Sequence, residues 1–139
     1  MELDHLTELF AGEAVEIVYL FGSQARGDVG RTSDVDIAIL LPNEPSVEEC
    51  ARSQLHFLDK LTRYLKSDNV DVVILNQSPL LLQHRIVRDG KVIFCCDERK
   101  RAHYEAQVIR DYLDFRYFER AYNEALLERI IKEGLGARS

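Results

Sequence analysis

The feature that most constrains this chain is an apolar run closed by Gly22-Ser23 and followed by a second run opened by Asp34 and Asp36. Val15 to Phe21 is rich in β-branched and aromatic side chains and stops at glycine, the composition of a buried strand. Gly22 has no Cβ, so the chain can turn sharply there and let a phosphate approach its backbone. Ser23-Gln24-Ala25-Arg26 predicts a one-turn helix ended by Gly27, whose first N–H groups would face the turn and favour an anion. Asp34 and Asp36 stand two apart at a strand start and therefore share a face, with Cα atoms about 7 Å apart. Carboxylates so placed can ligate a pair of Mg2+ ions about 3.5–4 Å apart. A Gly-Ser turn beside them supplies the matching triphosphate cradle.

A third carboxylate joins them. Asp71 lies in Asn69-Val70-Asp71-Val72-Val73-Ile74-Leu75, another short β-forming run. Each piece alone is common: Asp-x-Asp occurs on solvated strand edges, and Gly-Ser is an ordinary turn. Three carboxylates beside apolar strand residues are a different matter. On one sheet face they repel one another unless a cation offsets them.

The whole set resembles the nucleotidyltransferase superfamily of the DNA polymerase β type. Its compact spacing is most similar to the minimal nucleotidyltransferase (MNT) antitoxins that are paired with HEPN toxins. The resemblance is specific over about residues 15–75 and extends to the rest by size and element order. It implies an α/β (α+β) fold, a small mixed sheet of about four strands flanked by helices, with a long C-terminal helix. It further implies transfer of AMP from ATP to a tyrosine hydroxyl of a cognate HEPN-type ribonuclease, neutralising that toxin within a hetero-oligomeric complex. Asp34 and Asp36 would hold two Mg2+ ions. Asp71 would complete the metal set and act as general base. Gly22 and Ser23 would grip the β and γ phosphates, with Arg26 assisting the leaving group. Gln24 departs from relatives that often carry a basic residue there, which weakens phosphate neutralisation.

Composition narrows the classes. At 139 residues, 46% hydrophobic and 30% charged, the chain has the balance of one globular domain with a real core. No apolar run approaches the roughly 18–20 residues of a membrane span, and the acidic N-terminus is no signal peptide, so a cytoplasmic, membrane-free protein is expected. Cys50, Cys95 and Cys96 suit neither a disulfide framework nor a zinc site and are expected to be reduced. His5, His56, His84 and His103 are scattered and nothing nearby orients them. Residues 97–139 hold nine basic and nine acidic side chains, so the net charge of −6 belongs to residues 1–96. Enzymes that extend nucleic acids need a basic track, and this core has none. A protein or small-molecule acceptor is therefore preferred over RNA or DNA.

Organisation follows from periodicity. Leu3 to Ala11, ended by Gly12, predicts a leading helix, and Pro42 to Pro45 a loop. Ser46 and Glu49 form a capping box for a helix from Val47 whose apolar face carries Leu55, Leu58, Leu61, Tyr64 and Leu65. Ser78-Pro79 starts another helix that reaches Val87, Asp89-Gly90 turns, and Lys91 to Cys95 makes the last strand. The alternating order predicts a sheet backed by helices. Residues 1–96 form the nucleotidyltransferase core and residues 97–139 a helical extension, within a single domain overall.

From Glu98 to Glu133 there is no glycine or proline, and a single helix there would be roughly 50 Å long. It carries Tyr104, Tyr112, Phe115, Tyr117, Phe118 and Tyr122, half of the chain's twelve Phe and Tyr residues. Phe115, Phe118 and Tyr122 share one face, whereas Tyr117 points to another. Such a helix is expected to bury one face on its own sheet and offer the other to a partner; the competing expectation is a mid-helix break and a hairpin. Two other functions remain open: a non-catalytic antitoxin that masks its toxin, and an aminoglycoside-type nucleotidyltransferase, for which the extension leaves little room.

Overall fold

A computed structural model describes residues 5–22 and 34–136. Its elements are α1 (Leu6–Phe10), β1 (Ile17–Phe21), β2 (Val35–Leu40), α2 (Val47–Leu65), β3 (Val70–Ile74), α3 (Leu80–Asp89), β4 (Lys91–Cys95) and α4 (Glu98–Gly136), with a 3-10 turn at Leu75–Gln77 between β3 and α3. The start of the leading helix at Leu3 and the one-turn helix expected at Ser23 to Arg26 lie outside the described residues. The four strands form one mixed sheet in the order β3-β2-β1-β4. β1 is antiparallel to both β2 and β4, whereas β2 and β3 run parallel. A parallel pair needs a crossover, and α2 supplies it.

Strand alternation sorts the side chains onto two faces. Val18, Leu20, Val35, Ile37, Ile39, Val70, Val72 and Ile74 join Leu6 and Phe10 of α1 and Cys50, Phe57 and Leu61 of α2 in one core. Ile17, Tyr19, Ala38 and Leu40 point the other way and pack with Leu75 and with Ile86 of α3, flanked by Tyr104 of α4. The sheet is thus covered on both faces, as its near-continuous apolar strands require.

The Ser46 N-cap forms as expected, with the Glu49 amide donating to Ser46 Oγ at 3.1 Å. The apolar face of α2 differs from the expectation at one residue. Leu55 is 67% exposed. The 3.6-residue period counted from buried Cys50 reaches Phe57 and Leu61 and leaves Leu55 well off that line. Gln54 lies closer to it and donates from Nε2 to the Val72 carbonyl on β3 at 2.7 Å.

α4 is continuous, about 60 Å long at 1.5 Å per residue, and unbroken by a hairpin. Only its first half rests on the fold. Tyr19, fully buried, donates to Glu105 Oε2 at 2.6 Å, and Tyr104 donates to Gln83 Oε1 at 2.8 Å. Val108 is buried, and the Tyr112 ring stacks on His84 with centroids 3.5 Å apart. Beyond that stack, Tyr117, Phe118 and Tyr122 are 69%, 67% and 67% exposed. The expectation that one aromatic face would rest on the chain's own sheet is corrected: the sheet ends before the helix does, so both faces of its second half meet solvent.

Burial, and next the hydrogen bond to Glu105, hold the Tyr19 hydroxyl far above the usual phenol range, so it remains a donor. This bond fixes α4 against β1 across 86 residues of sequence. Tyr19→Phe is expected to cost about 1.5–3 kcal/mol, the range for a lost hydrogen bond to a charged group. Urea denaturation checks this, and a variant as stable as the parent would contradict it.

Candidate active site

Sheet register brings the predicted site together. Phe21, the last residue of β1, pairs with Asp36, and Asp36 pairs with Asp71 across the parallel β2–β3 ladder. Neighbouring strands stand about 4.8 Å apart, so Asp36 and Asp71 are immediate neighbours. Val35, Ile37, Val70 and Val72 all enter the α1/α2 core. By alternation Asp36 and Asp71 therefore project from the opposite face, the one covered further along by α3 and α4. Asp34, two residues before Asp36, belongs to the same side. Asp34 and Asp71 are exposed and Asp36 is partly buried.

Asp36 stands in the field of the other two. Burial pushes the Asp36 carboxyl above the ordinary carboxylate range, and the negative charges of Asp71 and Asp34 push it further. Gly22 has φ of +76°, in the left-handed region that glycine tolerates and other residues rarely adopt. A Cβ at Gly22 would also collide with Asp36 Oδ2. The left-handed turn is what calls for glycine here, and a side chain would in addition displace the Asp36 carboxylate.

Among the described residues, no three His, Cys, Asp or Glu side chains are grouped tightly enough to cage a metal ion alone. The donor set still suits a hard divalent cation. It is all carboxylate oxygen, and Mg2+ is commonly held by one or two carboxylates while substrate phosphates and water complete its shell. Ser23 and Arg26 lie outside the described residues.

Sequence reading did not connect α3 with this site. Leu82, Arg85, Ile86 and Asp89 of α3 meet Phe21 and Gly22 around a cavity of about 170 Å3. Their three- and four-residue spacing is that of a single helix face. The missing link was tertiary, because nothing in the sequence says that α3 ends beside the Gly22 turn. The three cysteines are free, as expected.

The chain is 36% identical over 80 residues to protein adenylyltransferase MntA of Shewanella oneidensis, a match covering 58% of this chain and 54% of that protein. It is 32% identical over 89 residues to protein adenylyltransferase MntA of Aphanizomenon flos-aquae, covering 58% and 57%. The chain thus spans little more than half the length of these curated relatives. Its fold is like that of a chain in a crystal structure of a toxin-antitoxin with AMP-PNP, with a TM-score of 0.72 and 22% identity over 91% of this chain and 99% of that one. It is also like a chain of tri-AMPylated Shewanella oneidensis HEPN toxin in complex with MNT antitoxin, with a TM-score of 0.65 and 20% identity over 90% and 95%. Residues 4–99, which hold the whole sheet and its carboxylate row, match the polymerase beta nucleotidyltransferase domain, and the chain belongs to that family.

Proposed function

We propose that this chain is an antitoxin protein adenylyltransferase that moves AMP from ATP to a tyrosine hydroxyl of a HEPN-type ribonuclease toxin. The observation that carries the reading is the in-register pair of Asp36 and Asp71 beside the left-handed Gly22 turn, on a nucleotidyltransferase sheet. The names of the relatives, protein adenylyltransferases, support the transferred group and the class of acceptor. The toxin complexes among the similar structures support the partner.

In this reaction the tyrosine oxygen bonds to the α-phosphorus of ATP, the bond from that phosphorus to the bridging oxygen breaks, and pyrophosphate leaves. Asp34, Asp36 and Asp71 would hold two Mg2+ ions, which when bound acidify the attacking hydroxyl and offset charge on the leaving group. Asp71 accepts the hydroxyl proton as general base. Gly22 and Ser23 offer backbone and hydroxyl groups to the β and γ phosphates, and Arg26 steadies the departing pyrophosphate. Residues 1–96 act as the catalytic core and residues 97–139 as the partner-binding extension. No described helix is long and apolar enough to cross a membrane. The need for ATP and the three free thiols support a cytoplasmic setting. The acceptor is protein rather than nucleic acid, because the core carries no basic track.

A masking role accompanies the catalytic one. The exposed second half of α4 favours it, since Phe115, Phe118, Tyr122, Leu126 and Ile130 line one side and Leu113, Tyr117, Leu127 and Ile131 another.

Joint replacement Asp34→Ala and Asp36→Ala is expected to lower AMP transfer by at least about a hundredfold, because several kcal/mol of transition-state stabilisation depend on these ligands. Mass spectrometry of the toxin after incubation with ATP and Mg2+ checks this, and an undiminished gain of AMP mass would contradict it. Asp71→Asn should retain ATP binding yet slow turnover; a rate equal to the parent's would reduce Asp71 to a strand residue.

Stability should move in the opposite direction to activity. Because the Asp36 carboxyl is raised in the folded chain, it favours folding below the unfolded value of about 3.9 and loses that contribution as pH rises through the folded value. At neutral pH the ionised group is a net cost to the metal-free fold. Asp36→Asn is expected to raise the urea midpoint of the metal-free chain at pH 7, with little gain below pH ~4. A lower midpoint at pH 7 would contradict the repulsion.

A further inference from the structure

The reaction proposed above brings a polyanionic triphosphate to a site whose own side chains are acidic. Asp34, Asp36 and Asp71 share the sheet face over which α3 lies, and the cavity beside Gly22 continues that site towards α3. Arg85 is the cation among the described residues lining this cavity. The neighbouring Arg88 is already engaged, with Nη2 at 2.8 Å and Nε at 3.0 Å from the two carboxylate oxygens of Asp89. Among the described residues no hydrogen bond or ion pair engages Arg85, whose guanidinium carries five N–H donors.

We propose that Arg85 is a nucleotide-binding residue that clamps the β and γ phosphates of ATP and holds pyrophosphate as it leaves. This rests on the nucleotidyl-transfer reading and adds to it a residue from α3. Two features favour phosphate over nucleobase or acceptor. The cavity, about 170 Å3, is smaller than the roughly 300 Å3 at which sites for whole small molecules begin, and it has room for phosphate groups. The planar guanidinium fork matches phosphate oxygens in pairs, which a solvated lysine would not.

Calorimetric titration of the full chain with ATP and with AMP, both in Mg2+, tests the clamp. Arg85→Ala is expected to weaken ATP binding about ten- to a hundredfold, the range for hydrogen bonds to charged groups, and to leave AMP affinity unchanged. Arg85→Lys should recover part of the loss, because it restores the charge without the fork. Arg63→Ala, on α2 behind the opposite sheet face, should bind both as the parent does. Unchanged ATP affinity in Arg85→Ala, or an equal loss for ATP and AMP, would overturn the clamp alone. An unaltered chain that binds no ATP would overturn the nucleotide reading and the clamp with it.

Discussion

Like charges on adjacent strands repel, and Asp36 and Asp71 stand opposite each other in a parallel pair with Asp34 close by. The rest of the structure holds that repulsion in place. Val35 and Ile37 on one side of Asp36, and Val70 and Val72 beside Asp71, are buried against α1 and α2. A one-residue slip of either strand would turn those side chains outward, so burial locks the register that keeps the carboxylates together. The apolar core thus contributes the stability and the carboxylates draw on it. Such local conflict is characteristic of functional sites.

The Gly22 turn is the second half of this constraint. β1 must end beside Asp36 for the phosphate cradle and the carboxylates to serve one substrate, and the antiparallel pairing of Phe21 with Asp36 secures that. The left-handed backbone at Gly22 disfavours any side chain, and a Cβ there would push the Asp36 carboxylate aside. Turn and carboxylate are therefore one unit, although thirteen residues of sequence lie between Gly22 and Asp36.

Much of this was legible because it is local. Alternation placed Asp34 and Asp36 on one face, glycine ended β1, and the capping box at Ser46 marked the start of α2. Element order suggested a mixed sheet, and its strand order agrees with that. What stayed hidden is tertiary. Leu55 looks apolar in sequence but lies off the line through Cys50, Phe57 and Leu61, and only the position of the sheet shows which side of α2 is covered. Arg85 reads as one more surface cation until α3 is seen beside the Gly22 turn. The fate of α4 depends on sheet width, which no residue pattern records. Its first half is fastened by Tyr19–Glu105 and Tyr104–Gln83, and its second half presents two apolar sides to solvent. In the proposed function, the sheet carries catalysis and the free part of the helix meets the partner.

The central claim is that the carboxylate row is a cation and triphosphate site rather than an acidic strand edge. Calorimetric titration of a non-hydrolysable ATP analogue, with Mg2+ and then with a chelator, tests it most directly. The account predicts tight binding only when Mg2+ is present, because the analogue's phosphates and the three aspartates repel each other without it. Equal affinity with and without Mg2+ would contradict it.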